Sequence, residues 1–135
     1  MPTLSTFTFG TRIPDSLVNV RPRVEAALLA EGFGVLTVID VQATMKSKLD
    51  LDIPPQLILG ACNPVLAHRA IEAVPSVAAL LPCNVVLRDD AGQTIVEAMD
   101  PRAVLGIVNT PAIREVAVEA SERLQRAIVA LETVA

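Results

Sequence analysis

Two cysteines in near-duplicate settings are the side chains of this sequence best suited to chemistry. Cys62 stands in Ile58-Leu-Gly-Ala-Cys-Asn-Pro64 and Cys83 in Leu80-Leu-Pro-Cys-Asn-Val-Val86, each followed by an asparagine, Asn63 and Asn84. The only histidine, His68, lies between them. Cys62 closes an expected strand and directly precedes an Asn-Pro helix start, where unpaired N–H groups favour an anion. Thiolate is the gain in view, because it is both the nucleophile and the metal ligand. Cys83 opens a strand after Pro82 and has no such helix of its own. If the two strands are neighbours, both sulfurs face one cleft. There a thiolate and a thiol can exchange disulfides, capture an electrophile or hold a soft metal. The plainer role is packing, since a free cysteine is among the most often buried residues.

The other candidates divide in the same way. Cys62, Cys83 and His68 together give at most three metal ligands, with no CxxC or HExxH spacing, so no dedicated metal site is assigned. His68 suits an i,i+4 pair with Glu72; its chemical alternative is general base to Cys62. Asp40 and Asp100 each end a strand and suit helix caps, or a carboxylate at a cleft. The candidate ligand-binding set is therefore Cys62, Asn63, Cys83, Asn84, His68 and Asp40, with Cys62 and Cys83 the candidate catalytic residues. No phosphate loop, GxSxG or Ser/His/Asp order occurs, so no cofactor is named.

These residues are positioned by elements read from periodicity. Thr3 to Phe9 alternates at period two and is expected to be a strand ended by Gly10. A helix capped by Asp15 carries Leu17, Val20, Val24 and Leu28 and stops at Gly32, and Pro22 is expected to kink it or delay its regular part to about Asn19 to Arg21. Phe33 to Asp40 reads as a buried strand. A short helix capped by Asp40 follows, with Val41, Met45 and Leu49 stacked. After the Pro54-Pro55 loop, Gln56 to Cys62 is the third strand, in which Gly60 marks a bulge or a close backbone approach. Asn63-Pro64 starts a helix with Ala67, Ala70, Ile71 and Val74 on one face. Ser76 to Leu81 connects, Cys83 to Arg88 is the fourth strand, Asp89 to Gly92 a hairpin turn, and Gln93 to Met99 the fifth strand. Thr110 caps a final helix with an apolar stripe from Ile113 to Leu131.

The order is β-α-β-α-β-α-β-β-α in a single domain of 135 residues, an α+β fold with helices mainly on one face of a five-stranded sheet. Hydrophobic residues make up 52% and charged residues 19%, with no Tyr or Trp, so the core must be aliphatic. That excess of apolar surface points to a homodimer. A net charge of −4 and scattered Lys and Arg argue against nucleic acid, and no run reaches a membrane span of about 20 residues. The N-terminus lacks a signal-peptide pattern, which places the expected chain in the cytoplasm with reduced cysteines. Three function classes stay open: a cleft near the cysteines for a small molecule or thiol-reactive species, a non-enzymatic interaction module with structural cysteines, and soft-metal binding through Cys62, Cys83 and His68.

Gly32-Phe-Gly-Val-Leu-Thr37, Ile39-Asp40-Val41, Leu59-Gly-Ala-Cys-Asn-Pro64 with Leu66-Ala67, Leu80-Leu-Pro-Cys-Asn-Val85 and Asp100-Pro101 resemble the family known as domain of unknown function 302. The resemblance implies a TATA-binding-protein-like fold, a curved, mostly antiparallel sheet backed by helices in two layers, and a dimer. It carries no DNA binding and no established reaction. Where members tend to have Glu before the Ile-Asp pair and Tyr after the proline loop, this chain has Val38 and, near the second position, Gln56.

Overall fold

The computed structural model describes residues 5–132. Five strands form one sheet in the order β1-β5-β4-β3-β2, every neighbouring pair antiparallel. They are β1 (Thr8–Ile13), β2 (Gly34–Asp40), β3 (Gln56–Cys62), β4 (Cys83–Asp90) and β5 (Gln93–Met99). The helices are α1 (Leu17–Ala30), α2 (Val41–Leu49), α3 (Pro64–Ala73), the short α4 (Pro101–Val104) and α5 (Pro111–Glu132). The α+β expectation therefore holds, and so does the element order, with the short α4 added between β5 and the final helix.

One face of the sheet makes the core. Phe9, Leu59, Ala61, Cys83, Val85, Leu87, Val96 and Ala98 alternate along their strands and meet Val20, Val24 and Leu28 of α1 and Ile113, Leu124 and Ile128 of α5. This alternation is the period-two geometry of a sheet covered on one side. The long apolar stripe of α5 is buried from Ile113 to Leu131, as its spacing requires. Thr110 Oγ1 accepts the Ile113 N–H at 3.4 Å and starts that helix.

Local chemistry sets the element ends. Gly32, at φ +85°, stops α1: its N–H and that of Phe33 return to the Leu29 and Leu28 carbonyls, a Schellman closure. Ala91 and Gly92, at φ 53° and 83°, form the two-residue β4–β5 turn, whose positive angles match the twist of a hairpin.

Four expectations are corrected. β1 starts at Thr8 and runs through Gly10, which pairs in register with Glu97, so the glycine interrupts nothing; Thr3 and Leu4 lie outside the described residues. Ser16, not Asp15, caps α1, accepting the Asn19 N–H; the Asp15 carboxylate accepts the Ser16 N–H and the Asn19 amide. α1 then starts at Leu17 and runs through Pro22, so its regular part is not delayed to Asn19 to Arg21; the bond that Pro22 forgoes would have ended on the carbonyl of exposed Val18. Finally, β2 is not a buried strand. It is an edge strand whose Leu36, Val38 and Ile39 are exposed, and α2 after it buries no residue.

Candidate functional site

Cys62 and Cys83 line one hollow. It lies where the end of β3 and the start of β4 meet α3 and α5, and its walls include Phe33, Ala61, Asn63, Leu66, Ala70 and Ala120. The register explains the meeting: Ala61 pairs with Cys83, and Cys62 is the next residue, at the point where β3 passes into α3. Small side chains create the space. Ala61 comes from the sheet, Ala67 and Ala70 from α3 and Ala120 from α5, where larger residues would close the gap. The hollow spans about 380 Å³ with its open mouth, of which about 30 Å³ admits a body the size of a water molecule. No charged side chain lines it.

Asn63 is fixed on several sides. Its Oδ1 accepts the Leu66 N–H at 3.2 Å and its carbonyl accepts that of Ala67, while Pro64 has no N–H to offer. The amide nitrogen lies 2.8 Å from where a side chain on Gly32 would begin. Glycine is therefore required at position 32 twice over, by its positive φ and by this approach. Asp100 performs a parallel task, capping α4 through the Arg102 N–H and accepting the Ser121 hydroxyl at 2.9 Å.

The thiolate expectation is corrected by this geometry. Of the first residues of α3, Pro64 has no N–H and that of Leu66 is spent on the Asn63 side chain, and burial pushes the Cys62 thiol above its ordinary value. Cys83 is pushed up to about 11, first by burial and then by the charge of Cys62. Both are free thiols, with no disulfide between them. At neutral pH both are protonated, so neither has the electropositive setting of a reactive cysteine.

The other three candidates stand elsewhere. His68 is exposed on the outer side of α3, its Nε2 3.3 Å from Glu72, as the i,i+4 spacing suggests. It does not line the hollow, so the general-base role and the third metal ligand both lose their geometry. Among the described residues no group of three or more His, Cys, Asp or Glu is placed to hold a metal ion. Asn84 is exposed and pairs with Gly60 on the sheet face opposite Cys83. Asp40 caps α2, accepting the Ala43 N–H at 2.9 Å, at the far end of β2. Ile71, expected on the inner face of α3, is exposed, and Leu66 with Ala70 takes that place. The alanines and Leu105 were missed as site residues; the only signal was the clustering of small residues on the inner faces of α3 and α5.

An antiparallel five-stranded sheet with helices on one face, and an apolar two-cysteine hollow at its β3–β4 end, is thus the arrangement to compare with known proteins. The family model described as domain of unknown function DUF302 matches residues 9–131, and the chain belongs to that family. A crystal structure of an uncharacterized conserved DUF302 protein from Bacillus stearothermophilus is similar to it. The two are 30% identical with a TM-score of 0.85, over 93% of this chain and 98% of that one. No functionally curated protein matches. No helix among the described residues is long and apolar enough to cross a membrane.

Proposed function

We propose that the protein is a small-ligand-binding module whose hollow takes a compact, uncharged apolar group beside Cys62, Asn63 and Cys83. One observation carries this reading: both cysteine motifs contribute to a single hollow kept open by alanines. A charged ligand would be stripped of water there with no counter-charge to meet it. Protonated, polarisable sulfurs suit an apolar or soft group instead. The raised thiols favour contact over covalent chemistry.

The free space admits only a few heavy atoms, so a fragment alone gains on the order of 1 kcal/mol per atom and binds in the millimolar range. Backbone amide shifts recorded by NMR while titrating short alkyl and thioether fragments test the reading. Saturable shifts at Cys62, Leu66, Ala70 and Cys83 are expected, and Ala67→Leu, which fills the mouth, should abolish them. Shifts that scatter over the surface, or that survive Ala67→Leu, refute it.

A further inference from the structure

The hollow is apolar, but one of its walls carries a hydrogen-bond donor with no partner. Asn63 lines the hollow and is 9% exposed. Its Oδ1 accepts the Leu66 N–H, which fixes the amide's orientation and leaves Nδ2 as the end that donates. Among the described residues no acceptor meets that nitrogen. Beside it stands Gly32, exposed and without a side chain. The three atoms nearest to where a Gly32 side chain would begin are Asn63 Nδ2 at 2.8 Å, Asn63 Cγ at 3.7 Å and Arg123 Nη1 at 3.9 Å. An amide and a guanidinium thus flank a notch left open by a glycine, and none of these atoms is an acceptor. Arg123 shares α5 with Ala120 of the hollow wall and stands about one turn further on. It gives its Nε–H to Glu119 and an Nη1–H to the Glu31 carbonyl, which leaves the rest of the guanidinium fork to spare.

From this we infer that the ligand is a short-chain carboxylate, its hydrocarbon end in the hollow and its carboxylate in the notch between Asn63 and Arg123. The inference rests on the reading of the hollow as a binding site and adds the head group that apolar walls do not specify. Such a ligand divides as its chemistry requires. The alkyl part meets the alanines and Leu66, while the charge stays at the exposed rim, where a guanidinium and an amide replace part of its water. Charge agrees. Salt bridges join Arg69 to Glu119, Glu119 to Arg123 and Arg126 to Glu31, so arginines outnumber glutamates around the notch on a chain whose net charge is −4. The end of α1 beside the notch does not cancel this excess. Its Leu28 and Leu29 carbonyls accept backbone N–H groups and its Glu31 carbonyl accepts Arg123. The N-terminus of α3, capped by Asn63, adds to the attraction. Length is limited by the small free space in the hollow, which suits butyrate and excludes long acyl chains.

NMR titration of the natural chain at low salt, with butyrate and with methyl propyl ketone as a neutral molecule of the same size, tests it. Butyrate should bind about tenfold tighter. It should move the Asn63 side-chain amide and the Arg123 Nε–H together with the Leu66 and Ala70 backbone amides, and about 0.5 M sodium chloride should remove most of its advantage. Arg123→Gln should bring butyrate down to the affinity of the ketone, and Ala67→Leu should abolish the binding of both. A ketone that binds as tightly as butyrate overturns the inference and leaves the hollow standing as a binding site; no saturable binding of either molecule overturns both. Butyrate binding that survives Ala67→Leu marks a surface anion site only and overturns the inference, as does a butyrate preference that persists in folded Arg123→Gln. If that variant unfolds, the two ligands and the salt series on the natural chain decide alone.

Discussion

Cys83 sits at the start of β4 with its sulfur against the hollow, and its thiol ionises only near pH 11 against an ordinary value of 9.0. A thiol whose folded value is raised contributes stability that is fully present below the unfolded value and is lost as pH rises through the folded one. Stability should therefore fall between about pH 9 and 11, by on the order of 2–3 kcal/mol for two pH units. Urea unfolding at several pH values measures it, and Cys83→Ala should flatten that part of the profile. Cys62, half-buried at the mouth, should react with iodoacetamide in the folded chain, its rate still climbing above pH 9, whereas Cys83 should need unfolding. Equal labelling of both in the native state would contradict this placement. Gly60 is a purely steric case. A side chain there would collide with the Thr37 hydroxyl and come within 2.9 Å of the Pro82 ring. Gly60→Ala should cost about 1–3 kcal/mol, read from the urea midpoint.

Among the elements, those defined by local chemistry were legible and those defined by position in the sheet were not. Asn63-Pro64, Asp40, Gly32 and Thr110 act as caps and stops because the atoms that decide the matter lie within a turn of each other. Phe33 to Asp40 reads as a buried strand because nearly continuous apolar residues normally mean two covered faces. Edge placement depends on which strands pair at long range, and no local pattern encodes that. The start of α1 could not be placed from Pro22 for a related reason, since whether a lost helix bond matters depends on which side of the helix faces solvent. Pro22→Ala should restore the bond from residue 22 to the Val18 carbonyl and raise stability by about 1–2 kcal/mol; a lower urea midpoint would show the proline to be favoured in place. Across β4 and β5, burial pushes the Glu97 carboxyl up, but hydrogen bonds from Thr8 and Arg88 and the Arg88 charge outweigh it and hold the group below its ordinary 4.5. That contribution is present above pH 4.5 and is lost as pH falls through the lower folded value. In Arg88→Met the Glu97 titration followed by NMR should move upward; an unmoved titration would remove Arg88 from the account.

At the scale of the whole molecule, the matching contexts of Cys62 and Cys83 pointed to one shared hollow, which both line, but not to what surrounds them. Their matching contexts could be read directly, while the four alanines that hold the space open became visible only once α3 and α5 were packed over the β3–β4 end. The same packing moved Asn84 to the opposite sheet face and left His68 and Asp40 outside. The reading of the hollow as a binding site rests on its being open to small apolar bodies, and xenon is the plainest probe of such a space. Amide and methyl shifts recorded under increasing xenon pressure should saturate at Ala61, Leu66, Ala70 and Ala120 and vanish in Ala67→Leu. Walls that ignore xenon while other parts of the chain respond would mean the hollow is sealed, and the cysteines are packing residues.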